Sequence, residues 1–128
     1  MAYFALAMQV KLIPYKTPEY NQAIQLRTEV LRRPLGLSFT KEQLDAEKDD
    51  IIIGAFENNQ LVGCCVLTPQ DDTVIQLRQM AVRENVQTKG VGKSILAFAE
   101  KIAKEKGYIL LMMHARNTAL GFYPKKRL

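Results

Sequence analysis

The residues with the clearest chemical capacity in this 128-residue chain read Gln87-Thr88-Lys89-Gly90-Val91-Gly92-Lys93-Ser94. They join an apolar, strand-like run to an amphipathic, helix-like one. Two glycines let the backbone turn tightly and come close to a ligand without Cβ collisions. A helix beginning here presents unpaired N–H groups and the positive end of its dipole, a seat for phosphate or diphosphate. Lys89 and Lys93 add positive charge. The physical reading is an anion site; the competing one is a glycine pair that only shapes a strand–helix corner.

Three kinds of phosphate loop compete for these residues. Gly92-Lys93-Ser94 imitates the end of a Walker A motif, but Gln87 stands where that motif needs its first glycine. No later apolar strand ends in an aspartate to hold magnesium, since Tyr108 to Met113 runs into His114. The dinucleotide fingerprint fails because Ile95 occupies the place of its third glycine. The third kind depends on the elements around the loop.

Those elements follow from periodicity and punctuation. Met8 to Ile13 alternates as a first strand and stops at Pro14. Thr17-Pro18-Glu19 reads as a helix N-cap, first residue and dipole-matching acid. Tyr20, Ala23, Ile24, Arg27, Val30 and Leu31 then recur at helical spacing until Pro34. Thr40-Lys41-Glu42-Gln43 is a capping box for a short second helix. Ile51 to Phe56 and Leu61 to Leu67 flank the hairpin signal Asn58-Asn59. A third run, Thr73 to Val82, places apolar residues at 75 and 77 and then at 80 and 82. That slip of phase predicts a β-bulge near Arg78-Gln79.

Val91 to Lys106 reads as a long amphipathic helix with Val91, Ile95, Phe98, Ala99 and Ile102 on one face, capped by Gly107. Tyr108 to Met113 has no polar interruption and suits a strand covered on both faces. A last short helix from Asn117 or Thr118 is expected to reach Tyr123. The fold class is therefore α+β: a central mixed sheet made of an antiparallel meander and a parallel strand–helix–strand crossover.

Leu77-x-x-Met80-Ala81-Val82, followed by Gln87-x-x-Gly90-x-Gly92 and a helix, resembles the acetyl-CoA-binding motif of the GNAT superfamily of N-acyltransferases. His114-Ala115-Arg116-Asn117…Ala119…Phe122-Tyr123 is similar to the family's segment after the next strand. The resemblance runs from Met8 to Tyr123 and implies a GNAT-like fold with helices on both faces of the sheet. It implies that backbone groups of Met80, Ala81 and Val82 hold pantetheine. Backbone amides of Gln87, Thr88, Lys89, Gly90, Val91, Gly92 and Lys93 would hold the pyrophosphate, and Asn117 would touch the cofactor from the other side.

The implied reaction is direct attack of an amine on the thioester of acetyl-CoA in a ternary complex, without a metal. The Met80 N–H is the implied oxyanion donor and Tyr123 the general acid for the leaving thiolate. His114, the single histidine, is a candidate proton acceptor; Glu29 and Glu84 are weaker ones. The family continues past Phe-Tyr with a glycine at the position of Arg127 and two more strands. This sequence thus resembles a shortened member, with a bare sheet edge and homodimerisation as one expected remedy. A CoA-binding protein without turnover and, further off, a nucleic-acid-binding domain are the alternatives.

Composition frames these readings. At 48% hydrophobic and 24% charged, the chain suits one soluble domain, 1–128. The net charge of +5 is spread along it, with no arginine–aromatic stripe for nucleic acid and no apolar run of membrane-spanning length. The first residues lack the basic start of a signal peptide. Two adjacent cysteines, Cys64 and Cys65, point to opposite faces of a strand, so the expectation is free thiols in a reducing cytoplasm.

Overall fold

The structure, a computed structural model, describes residues 8–113 and 125–128, with only the backbone at 87–89. Six strands form one sheet in the order β1-β2-β3-β4-β5-β6. They are β1 (Gln9–Ile13), β2 (Ile51–Glu57), β3 (Gln60–Pro69), β4 (Val74–Val82), β5 (Leu110–Met113) and β6 (Lys125–Arg127). Every neighbouring pair is antiparallel except β4–β5, which is parallel, as the crossover reading requires.

Helix α1 (Pro18–Arg27) starts where Thr17 accepts a hydrogen bond from the Tyr20 N–H. It does not stay α-helical to Pro34: Thr28–Arg32 is a π-helical turn and Arg33–Leu35 a 3-10 turn. Proline lacks an N–H and its ring crowds the carbonyl four residues earlier, so the preceding turn loosens before the chain leaves the helix. Helix α2 (Lys41–Asp45) has both hydrogen bonds of the capping box, Thr40 to Gln43 and back. The β2–β3 hairpin turns through Asn58 and Asn59 at φ of 52° and 63°, the left-handed region that asparagine tolerates.

Helix α3 (Val91–Glu105) covers one face of the sheet, burying Val91, Ile95, Ala99 and Ala103 against Ile53, Cys65, Leu67, Ile75, Leu77 and Leu111. Helix α1 covers the other, packing Tyr20, Ala23 and Leu26 on Ile13, Ile52, Cys64, Val66 and Ala81. Cys64 and Cys65 therefore sit in separate cores, both free. Burial pushes the Cys64 thiol up to about 12 and the Cys65 thiol well above its usual range. Iodoacetamide at pH 8 is expected to leave both unmodified in the folded chain and to modify both in denaturant. Rapid labelling of the native protein would refute this packing.

Two details differ from the sequence-based expectation. Strand β5 is not fully covered: Leu111 and Met113 are buried, but Leu110 and Met112 only partly so. The edge beside β5 is not the bare one expected. Lys125–Arg127 pairs with β5 as β6, and Lys126 Nζ lies 2.8 Å from Glu100 of α3. The edge of β5 is thus covered, and lysines on the outer strand make a poor template for further pairing. No described helix is long and apolar enough to cross a membrane.

Candidate active site

The bulge lies where the phase slip placed it. Cys64 pairs with Ala81 and Val66 with Arg78, so Cys65 alone faces both Gln79 and Met80. Gln79 takes the extra turn at φ 53°, in the left-handed region. The bulge keeps Met80 and Val82 packed on the same core as Ile75 and Leu77, while Ala81 turns to the α1 side. Among the described residues the parallel ladder with β5 ends at Leu77↔Met113, whereas β4 runs on to Val82.

Beyond Val82 the chain is tied down before it reaches the glycines. The Arg83 N–H donates to the Val62 carbonyl at 2.8 Å, and Arg83 Nε donates to the Leu61 carbonyl at 2.8 Å. A 3-10 segment, Glu84–Lys89, follows, pinned to the core by buried Val86. Gly90 then opens α3 at φ 75°, a conformation that suits glycine, and no described side chain caps the helix. The first helical bond is Ser94 N–H to the Gly90 carbonyl at 3.0 Å, so the N–H groups of Val91, Gly92 and Lys93 lie ahead of it. Among the described residues, a Cβ added at Gly90 or Gly92 would meet nothing within 4 Å. No acidic side chain occupies the first turn. This is an open, positively polarised helix start.

Gly63 on β3 sets how closely that start sits on the sheet. A Cβ there would come within 2.8 Å of both Ile95 Cδ1 and Val91 Cγ1. Only a bare backbone lets the first turns of α3 press this near.

On the opposite face a cavity of about 300 Å³ borders the bulge, lined by Arg32, Gln43, Glu47, Asp50, Arg78 and Gln79 among others. Burial raises the Asp50 carboxyl above its ordinary value, only partly offset by a hydrogen bond with Thr68. The ring of Phe39 stacks on two arginines nearby, with the guanidinium carbons of Arg27 and Arg32 at 4.9 and 4.6 Å from its centre. Beneath lies a buried network. Arg27 forms two bonds to Glu47, Nη1 to Oε2 at 2.8 Å and Nη2 to Oε1 at 2.9 Å; Tyr20 donates to the same Oε1 at 2.8 Å. Arg27 Nη1 also reaches Gln79 Oε1 at 3.0 Å.

The structure thus brings Met80, Ala81 and Val82 onto one strand that leads directly into the loop bearing Gln87, Thr88, Lys89, Gly90, Val91, Gly92 and Lys93. His114, Asn117 and Tyr123 lie outside the described residues. Glu29 and Glu84 line a different groove, together with Gln22, Gln25, Gln60 and Arg83. The buried network was not read from sequence. Its one signal was Arg27, a cation inside the apolar stripe of α1; Glu47 sits in the charged run Asp45 to Asp50 and carried none.

Comparisons with known proteins agree with this geometry. The profile of the Acetyltransferase (GNAT) family matches residues 18–127, and the chain belongs to that family. It is 30% identical over 77 residues to "Probable N-acetyltransferase 14" of Xenopus tropicalis, a match covering 57% of this chain and only 37% of that protein. A GNAT family acetyltransferase from Elizabethkingia anophelis, solved with acetyl-CoA bound, is 27% identical with a TM-score of 0.67, covering 89% of this chain and 69% of that one. The N-acetylglutamate synthase of Neisseria gonorrhoeae, solved with coenzyme A and N-acetyl-glutamate, shares the fold at 21% identity and a TM-score of 0.67, over 87% of this chain and 26% of that one.

Proposed function

We propose that residues 1–128 act as one N-acetyltransferase domain that moves the acetyl group of acetyl-CoA to a primary amine of a small molecule or protein. The observation that carries this reading is the continuity of the bulged strand with the uncapped start of α3. One stretch of backbone, from Met80 to Lys93, supplies both the contacts for a pantetheine arm and the seat for its diphosphate. The relative from Elizabethkingia anophelis, with acetyl-CoA bound, supports that choice of donor.

In this reading the backbone of Met80, Ala81 and Val82 extends the sheet onto the pantetheine. The amides from Gln87 to Lys93 hold the diphosphate, with Asn117 on the far wall. The amine enters through the cavity beside Gln79 and Arg78. Its nitrogen bonds to the thioester carbon, and the negative charge that grows on the carbonyl oxygen is met by the Met80 N–H. A preorganised donor of this kind is worth about 3 kcal/mol. The C–S bond breaks, Tyr123 protonates the departing thiolate, and His114 takes the surplus proton from nitrogen. With intrinsic pKa values of about 8.5 for a thiol and 10 for tyrosine, positioning has to supply most of the benefit of the acid.

The test is release of free CoA thiol over a panel of small amines and peptides, with Tyr123→Phe alongside. The native thiols, buried in the two cores, add no background to a thiol assay. Turnover on at least one amine is expected, with kcat lowered about 100-fold in the phenylalanine variant. Thermal stabilisation by CoA with turnover on no amine would replace this reading with a cofactor-binding protein.

A further inference from the structure

We infer that Arg27 is a positioning residue for acyl transfer: held by Glu47 and Tyr20, its guanidinium grips the Gln79 carboxamide and fixes the bulge peptide that presents the Met80 N–H. The inference rests on the role proposed for Met80 and extends it to residues from two other parts of the chain.

Gln79 has a left-handed backbone at φ 53°, a conformation that crowds the Cβ of any residue against the following carbonyl. Glycine or asparagine would occupy it more cheaply. Glutamine, however, reaches Arg27 Nη1 at 3.0 Å, and that same nitrogen donates to Glu47 Oε2 at 2.8 Å. The guanidinium is a planar fork with little freedom once two of its arms are taken. Arg27 is wholly buried and Glu47 is 3% exposed, so the ion pair is shielded from solvent, while Gln79 is half-buried at the edge of the cavity. The chain turn after α2, helix α1 and the bulge of β4 are thereby joined at one point.

Stability alone does not account for this arrangement. Burying an ion pair costs more desolvation than an apolar pair of similar size, and such replacements are often neutral or stabilising. Here, moreover, Arg27 Nε is buried and finds no acceptor among the described residues. A group so poorly repaid in folding energy, yet aimed at the one strained residue of the bulge, is placed for geometry. Small shifts of a catalytic donor lower rate without loosening the rest of the ligand.

Two substitutions separate the clamp from the fold. Gln79→Asn suits the left-handed backbone but is one carbon too short to reach Arg27; Gln79→Glu keeps an oxygen for it. The expected result for Gln79→Asn is a melting temperature close to the parent's, unchanged CoA affinity and a kcat lower by about 10-fold or more. Gln79→Glu should retain kcat within about threefold. Parent-like kcat in Gln79→Asn overturns the inference. If the parent itself acetylates no amine, the acyl-transfer reading fails, and the clamp is judged from the Met80 amide by NMR. A resonance shifted in Gln79→Asn but not in Gln79→Glu supports it, and one unmoved in both overturns it.

Discussion

Gly92→Glu is expected to yield a chain at least as stable as the parent that no longer retains coenzyme A. Gly92 is the second residue of α3, and a Cβ there meets no described atom within 4 Å, so a side chain can start there without a clash. Removing glycine from a helix gains up to about 1 kcal/mol, and an acid in the first turn adds roughly 0.3–1 kcal/mol by matching the dipole. The same carboxylate would stand against the diphosphate. One negative charge about 5 Å from two others, at an effective dielectric near 40, costs about 3 kcal/mol, or roughly a 100-fold loss of affinity. Calorimetric titration with CoA and a thermal melt read the two halves separately. Undiminished CoA binding would show that the start of α3 is not the phosphate seat; Gly92→Ala, without the charge, should bind far better than the glutamate variant.

The largest effect on folding is expected from Glu47→Leu. Arg27 keeps its charge in the core because the hydrogen bond and charge of Glu47 outweigh the burial that opposes it. Stranding that cation costs about 3–5 kcal/mol, a large part of the stability of a small domain. Urea unfolding should show a midpoint lower by about 2 M at unchanged slope. The double variant Arg27→Met/Glu47→Leu should be more stable than Glu47→Leu alone, because no buried charge is left unpaired. A single variant within about 1 kcal/mol of the parent would mean that the pair is hydrated in solution.

The same network sets an alkaline limit. Burial, then the hydrogen bond to Glu47 and its charge, raise the Tyr20 hydroxyl above its ordinary 10.0. The folded state therefore holds this proton more tightly than the unfolded one. The stability this contributes is fully present below the unfolded pKa and is lost as pH rises beyond it, so unfolding should begin to ease above about pH 10.

Much of the fold was legible because its signals are local. The caps at Thr17 and Thr40, the Asn58-Asn59 turn and the stripe of α3 each depend on residues a few positions apart. The bulge was legible for the same reason: moving apolar residues from 75 and 77 to 80 and 82 leaves no other way to keep one core. The π-helical turn before Pro34 is a local effect too, but periodicity does not distinguish a loosened helix from a regular one.

What the sequence determined by itself is thus the order of elements, the phase of β4 and the glycine-marked start of α3, all consequences of covalent geometry and short-range periodicity. Tertiary structure alone decided that Lys125–Arg127 would close the edge of β5, that Gly63 would let α3 sit close, and that Arg27, Glu47 and Gln79 would meet. Those residues lie on separate elements, and no pattern along the chain records a meeting that exists only once two faces of a sheet have been covered.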